Sequence, residues 1–126
     1  MSVVLDSGAL VAIERGDRDM LTVVRREFYA GHSALTHGGV IGQVWRGGTG
    51  RQAQLARVLQ GIDVRPIDDD LGRRAGVLLG RAGRSDVIDA AVVLIAQDGD
   101  EIFTADPADL RHLADTAGRI VELIRI

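Results

Sequence analysis

Three aspartates stand next to or within apolar segments of the sequence, where a carboxylate is unexpected unless it has a structural or chemical role. Asp6 and Asp106 each follow directly after a short apolar run that is typical of a buried strand. Asp89 interrupts a predicted helix whose other residues are almost all apolar. Open α/β sheets bind their ligands beyond the carboxyl ends of their strands. A buried carboxylate is costly unless a donor, an arginine or a metal ion compensates it.

Gathering these carboxylates in one place would have a chemical consequence. Clustered carboxylates repel one another and take up protons unless a cation neutralises them. An all-oxygen ligand set suits Mg²⁺ or Mn²⁺. Asp86 lies three residues before Asp89, on the same helix face, and would add a further acid. Such a site can activate water and stabilise the charge that develops on a phosphodiester. The pattern therefore predicts hydrolytic metal chemistry.

Each aspartate also has a structural interpretation as part of a helix start. The run Asp106–Asp109 has Asp at the N-cap, Pro at the first position and Asp109 in the first turn. Taken alone, Asp106 is better explained as a cap and Asp109 as a helix-dipole residue. Asp86 could cap its own helix, and Asp6 the helix that begins at Ser7. The metal hypothesis depends on their coincidence.

Strands are predicted to alternate with helices along the whole chain. The predicted strands are Ser2–Leu5, His32–Leu35, Asp63–Ile67, Glu101–Ala105 and Arg119–Ile126. The predicted helices are Ser7–Glu14, Arg18–Ala30, Gly39–Trp45, Arg51–Gln60, Asp68–Leu79, Val87–Ala96 and one over Pro107–Leu113, with a loop at Gly80–Arg84. This alternation indicates a single α/β domain over residues 1–126, with a parallel sheet covered by helices on both faces.

Composition limits the possible functions. The chain has no cysteine, which excludes disulfides, thiolate zinc sites and cysteine nucleophiles. Its N-terminus shows no basic region and no long apolar run, so we expect no signal peptide, no membrane span and a cytoplasmic location. The net charge is −3, with 15 basic residues, all Arg, against 18 acids. If five acids bind metal in one pocket, 13 acids face 15 Arg, and the remaining surface is compatible with RNA.

Four segments in order resemble the PIN-domain ribonucleases, and among them the VapC-type toxins. The segments are Val4–Ser7, Gln43–Gly48, Asp86–Ala90 and Thr104–Leu110. The resemblance covers essentially the whole chain. It implies a PIN-like fold with a five-stranded parallel sheet, in which the strands before Asp6 and Asp106 are neighbours.

The resemblance also implies an activity and a set of site residues. Asp6, Asp89 and Asp106 would bind Mg²⁺ or Mn²⁺, with Asp86 as an accessory carboxylate and Ser7 and Thr104 as hydrogen-bonding groups. The implied reaction is endonucleolytic hydrolysis of RNA in a type II toxin–antitoxin system. The implied partners are a small VapB-type antitoxin, which would bind beside or over the pocket, and a second copy in a homodimer.

One position departs from the family pattern. The usual second acid is a Glu, and Gln43 stands in its place. Glutamine can ligate a metal or orient a water, but it carries no charge and cannot act as a base. Metal affinity should fall and a second ion becomes less favourable. Glu14 lies about 12 Å beyond Asp6 along the helix axis, too far to substitute.

Other polar residues have weaker assignments. For Arg46 we give equal weight to two interpretations, a contact with the scissile phosphate and a solvated surface side chain. Arg51, Arg81 and Arg84 are better explained as solvated than as an RNA path. Trp45 is expected in packing, and His32, His37 and His112 in structural roles, because their spacing fits no metal site.

Alternative functions fail on specific residues. A receiver domain needs a lysine, which this chain lacks, and a dehalogenase-type phosphatase needs an acid where Gly8 stands. No P-loop or dinucleotide-binding glycine pattern is present. The remaining alternative is a non-catalytic PIN-fold module that, lacking the Glu, only binds RNA or its antitoxin.

Overall fold

Five parallel strands form one twisted sheet at the centre of the molecule. The computed structural model describes residues 1–126. The strands are β1 Val3–Leu5, β2 Leu35–His37, β3 Asp63–Arg65, β4 Glu101–Thr104 and β5 Glu122–Arg125, in the order β3-β2-β1-β4-β5. The predicted five-stranded parallel sheet and the pairing of the strands before Asp6 and Asp106 are confirmed, with Leu5 beside Phe103 in the register of β1 and β4.

Seven α-helices connect the strands. They are α1 Ser7–Glu14, α2 Arg18–Tyr29, α3 Gly38–Val44, α4 Ala53–Leu59, α5 Asp69–Ala82, α6 Val87–Ile95 and α7 Pro107–Ala117, with a short 3-10 helix at Gly50–Gln52 before α4. The chain moves away from β1 in one direction through β2 and β3, and in the other through β4 and β5. Right-handed crossovers in opposite directions place helices on both faces, as predicted.

Several predicted boundaries are wrong in instructive ways. The second strand begins at Leu35, so the prediction His32–Leu35 was placed three residues too early. The predicted loop Gly80–Arg84 begins too early, because α5 continues to Ala82, which is buried, and ends at Gly83 in the left-handed conformation (φ 66°). Helix α7 extends to Ala117 and shortens the last strand to Glu122–Arg125.

The core lies along β1 and α6. All three residues of β1 are buried, and so are Ala90–Val93 of α6, which explains why that helix is apolar nearly all round. Both elements end or begin at the same edge of the sheet. No helix of the protein has the length and apolar character needed to cross a bilayer.

Candidate active site

A cleft of about 740 Å³ opens at the carboxyl edge of the sheet, beside the switch point between β1 and β4. Five predicted catalytic residues line it, and they come from four separate parts of the chain: Asp6, Gln43, Asp86, Asp89 and Asp106. This is the position at which an open α/β sheet binds its ligand, because neighbouring loops there diverge to opposite faces.

Asp6 is held rigidly at the bottom of the cleft. Its side chain is 7% exposed, and its Oδ1 accepts the N–H of Ala9 at 3.0 Å, so it caps α1. Burial raises the pKa of Asp6, while hydrogen bonds from the Thr104 side chain and from nearby backbone N–H groups oppose that rise. The capping interpretation is therefore correct for Asp6, and the same residue lines the cleft.

A glycine brings α1 against the loop after β4. A Cβ atom on Gly8 would stand 2.6 Å from the Cβ of Ala105 and 3.3 Å from Asp6 Oδ1. Only a residue without a side chain permits this approach. Gly8 thus allows the two strand ends that carry Asp6 and Asp106 to share one cleft.

Asp89 is the most strongly perturbed acid of the cleft. It lies half-buried in the first turn of α6, and no group of the protein donates a hydrogen bond to its carboxylate. Burial, together with four other carboxylates, raises its pKa to about 6; those carboxylates belong to Asp86, Asp6, Asp109 and Asp106. An uncompensated carboxylate in a field of like charge favours either a proton or a cation.

Asp86 and Asp106 differ in what their side chains do. Asp86 caps α6, with Oδ1 accepting the N–H groups of Ile88 (2.9 Å) and Asp89 (3.1 Å). Asp106 precedes α7 but makes no side-chain capping bond. Its own N–H donates to Thr104 Oγ1 at 2.9 Å. Asp106 therefore occupies the N-cap position predicted from the sequence, but its side chain does not act as a cap, and its exposed carboxylate is free to take a ligand.

The donor chemistry of the cleft fits a hard divalent cation. No hydrogen bond contributes to the pKa of Asp89, and the Asp106 side chain makes no capping bond. Carboxylate oxygen is the preferred ligand of Mg²⁺ and Mn²⁺. In the present side-chain arrangement no three acidic or histidine residues come close enough together to ligate one ion. The Asp106 carboxylate makes no capping bond, so its side chain is free to rotate.

The remaining predicted residues lie at different depths. Ser7 lines the cleft, and Gln43 lies exposed on its wall at the end of α3. Thr104 is completely buried, so it orients Asp6 and Asp106 rather than facing solvent. Arg46 does not line the cleft, because its guanidinium donates to the carbonyls of Gly42 (3.2 Å) and Trp45 (2.7 Å).

Two residues were missed by the sequence reasoning. Arg15, just after α1, is the only basic residue that lines the cleft. Gln52 is 5% exposed and bonds both to the segment after Gln43 and to α1. Its Oε1 accepts the N–H groups of Arg46 and Gly48, and its Nε2 donates to the Val44 carbonyl and to Glu14. The sequence gives no signal for either residue, because nothing in its neighbouring residues distinguishes it from the many other polar residues of the chain.

Glu14 is engaged away from the cleft. Its Oε1 accepts the Gln52 amide at 2.6 Å, and it does not line the cleft. The expectation that Glu14 does not replace the missing family Glu agrees with this contact. The acidic cleft therefore has an amide at the position of Gln43 and no compensating acid from α1.

Comparisons with known proteins identify the fold. No family model matches the sequence, and no curated protein matches it. A chain in the crystal structure of VapBC2 from Rickettsia felis, bound to a DNA fragment from their promoter, superposes with a TM-score of 0.71. The predicted PIN-like fold is confirmed. The match covers 98% of this chain and 99% of that chain at 12% sequence identity, so what is shared is the architecture.

Proposed function

We propose that the protein is a metal-dependent endoribonuclease that acts as the toxin of a type II toxin–antitoxin pair. One observation carries the proposal: Asp6, Asp89 and Asp106 line a single cleft at the switch point of a PIN-like sheet. Burial, together with the charges of neighbouring acids, raises the pKa of Asp89, and a divalent cation would compensate the carboxylate in both respects.

The side chains of the cleft divide the work of holding an ion. Asp6, Asp89 and Asp106 would bind Mg²⁺ or Mn²⁺, which when bound supplies an activated water and neutralises charge on the phosphate. Thr104 holds Asp6 and the backbone of Asp106 in place. Gln43 offers an amide that can orient a water, and Asp86 fixes the first turn of α6.

RNA would reach the cleft past Ser7 and Arg15. The Arg15 guanidinium can pair with a phosphate next to the scissile bond, and the Ser7 hydroxyl can donate to a phosphate oxygen. Arg15 replaces Arg46 in this role, since Arg15 lines the cleft whereas the Arg46 guanidinium donates to the carbonyls of Gly42 and Trp45. Because only one basic group lines the cleft, its electrostatic attraction for RNA would be weak, and RNA binding would depend on the metal ion.

Cleavage of total RNA with mapped ends tests the activity. We expect cleavage that requires Mn²⁺ or Mg²⁺ and that disappears in Asp6→Asn and Asp89→Asn. Asp70→Asn is the matched control, because Asp70 is exposed on α5 and does not line the cleft. Cleavage that persists in both cleft variants would show that the activity comes from another site or a contaminant.

A non-catalytic module is the second candidate, and Gln43 favours it. An amide in place of the family Glu lowers the negative charge that attracts metal and removes one potential base. RNA binding that persists with no cleavage at any metal concentration would select this function over the nuclease.

Besides the cleft, beside or over which the resemblance places it, the antitoxin would occupy an apolar groove between α2 and α4 that shares no lining residue with the cleft. The groove has a volume of about 450 Å³ and includes Phe28 and Tyr29, which are 59% and 79% exposed. Arg25 and Arg57 also line it, so it fits an apolar segment with acidic flanks. Growth arrest on expression, relieved by the product of the adjacent gene, tests the toxin role. Loss of that relief in Phe28→Ser would place the contact in this groove.

A homodimer remains a prediction. Light scattering on the purified chain, with and without the antitoxin, would measure it.

A further inference from the structure

His37 is completely buried between two helices that carry residues of the cleft. It is the last residue of β2 and is 0% exposed. Its ring contacts α3, which begins at the next residue, and the first turn of α6. A buried imidazole needs partners for both ring nitrogens, and His37 has them.

The contacts of His37 determine its tautomer. Nδ1 lies 3.0 Å from the N–H of Gly39 and 3.4 Å from that of Val40, and Nε2 lies 2.9 Å from the Ile88 carbonyl. Backbone N–H groups only donate, so Nδ1 must accept. A carbonyl only accepts, so Nε2 must carry the hydrogen. His37 is therefore a neutral imidazole with a donor on one side and an acceptor on the other.

This one ring joins the elements that position Gln43 and Asp89. Through Nδ1 it caps α3, which carries Gln43 at its other end. Through Nε2 it binds the carbonyl of Ile88, the residue directly before Asp89. Gly39 makes the approach possible, because a Cβ there would collide with the Ile88 side chain and stand 3.0 Å from the imidazole Cε1.

We propose that His37 is a positioning residue that sets the spacing between α3 and α6 and thereby holds Asp89 and Gln43 on one cleft. The role rests on the proposed function of that cleft. His37 does not line the cleft and touches no reacting atom. Its contribution is to fix the first turn of α6 from the side opposite to the Asp86 cap.

Two substitutions separate the two bonds of the ring. In His37→Asn the side-chain oxygen can still accept the α3 N–H groups, but the amide does not reach the Ile88 carbonyl. In His37→Gln the longer side chain can reach that carbonyl and loses the cap geometry. His112→Asn is the matched control, because His112 makes a similar 2.8 Å bond from Nε2, to the Ala82 carbonyl at the end of α5.

Hydrogen exchange of the folded protein is the primary measurement. We expect faster exchange of the amides of Ala90 and the following turn of α6 in His37→Asn, and partial restoration in His37→Gln. The control His112→Asn should leave those amides unchanged. Unchanged exchange in α6 of His37→Asn would overturn the proposal, whether or not the protein is a nuclease.

Metal affinity and kinetics give the second measurement. We expect Mn²⁺ binding to weaken by about tenfold in His37→Asn, the low end of the effect of groups that orient metal ligands. The kcat should fall more than KM changes, and His37→Gln should recover part of both. If wild-type protein neither binds Mn²⁺ nor cleaves RNA, the proposed function fails while the exchange result still decides the role of His37. Equal Mn²⁺ affinity in His37→Asn and wild type would refute the link to the cleft.

Discussion

At the scale of single residues, the acids of the cleft destabilise the metal-free fold, and the same acids are the proposed ligands of a cation. Asp89 gains no hydrogen bond on folding and meets four other carboxylates, whereas Asp6 keeps a backbone donor. Natural sequences tolerate such a cost at functional sites, because the same repulsion that destabilises the folded chain attracts a cation. The two roles of Asp89 can be separated by experiment.

Replacing Asp89 with Asn should stabilise the metal-free protein. The pKa of Asp89 in the folded protein, about 6, lies above the ordinary aspartate value of 3.8. The cost of ionising Asp89 is therefore absent below about pH 4, grows as the pH rises, and is complete above about pH 6. After a discount for partial exposure, the free energy of unfolding of Asp89→Asn should exceed that of wild type by about 1–2 kcal/mol at pH 7. Urea denaturation in a chelator measures it. A gain that is equal at pH 4 and pH 7 would contradict this origin, and Asp70→Asn should show no such pH-dependent gain.

Restoring the family acid at position 43 should strengthen metal binding. Gln43 lies on the wall of the cleft, and Gln43→Glu adds one negative charge among oxygen ligands. We expect tighter Mn²⁺ binding by calorimetry. Gln60→Glu is the control, since Gln60 is exposed at the end of α4 and does not line the cleft. Equal or weaker binding in Gln43→Glu would refute the expectation.

At the scale of elements, the cleft depends on how closely α1, α3 and α6 approach the strand ends. Gly8 and Gly39 stand at two of these approaches, and both lack the side chain that would push the elements apart. Gln52 connects α1 to the segment after α3 with four hydrogen bonds. The geometry of the site is thus maintained by residues that bind nothing themselves.

Adding a side chain at Gly8 should disturb the alignment of α1 with the loop after β4. Gly8→Ala places a Cβ 2.6 Å from that of Ala105, and overpacking of this kind costs about 1–3 kcal/mol. Metal binding should weaken with it. Gly76→Ala is the matched control, because a Cβ there meets nothing and should stabilise α5 by about 0.5–1 kcal/mol. Thermal unfolding of both variants gives the comparison, and similar gains in the two would show that α1 can shift freely.

Converting Gln52 to Glu should be strongly destabilising although it preserves shape. In wild type the Gln52 amide donates to Glu14 Oε1 at 2.6 Å and to the Val44 carbonyl. In the variant a second carboxylate would face Glu14, and the Val44 carbonyl would lose its donor. A loss of about 2–4 kcal/mol is expected for a buried like-charge contact with a broken hydrogen bond. Recovery of stability in the double variant Gln52→Glu, Glu14→Gln would confirm that charge is the cause. Unfolding by urea measures each step.

At the scale of the whole molecule, the proposed ion binding would be linked to folding. The acids of the cleft come from β1, α6 and the segment after β4, so they meet only in the folded chain. An ion that binds only the folded state stabilises it by mass action, by about 2.7 kcal/mol when its concentration is 100 times Kd. The melting temperature would therefore report ion binding in the cleft without any assay of RNA.

Mn²⁺ should raise the melting temperature of wild type and leave Asp89→Asn nearly unchanged. The control ion is Ca²⁺, which prefers longer bonds and more ligands and should stabilise less. The measurement is a thermal scan with increasing metal in a buffer without phosphate. The same rise in wild type and in Asp89→Asn would show that the ion binds elsewhere.

The sequence by itself determined the architecture. The alternation of apolar runs with amphipathic segments predicts parallel strands and crossover helices, because the two periods differ and each must bury its apolar face. It also placed Asp6 and Asp106 directly after strands, at the edge that the carboxyl ends of parallel strands share. The family resemblance implied that the two strands are neighbours, and the structure confirms this. Its errors fell at boundaries such as Gly80, where burial of Ala82 outweighed a local helix breaker.

Only the tertiary structure decided how the side chains are used. Asp106 stands at the N-cap of α7, as the sequence predicts, but its side chain makes no capping bond and its carboxylate remains free. For Arg46 the sequence left a phosphate contact and a solvated side chain equally open. In the structure its guanidinium donates to the carbonyls of Gly42 and Trp45, while Arg15 lines the cleft. The same holds for His37, which has no sequence signal of its role. These outcomes depend on contacts between residues far apart in the chain, and local patterns carry no information about distances of that kind.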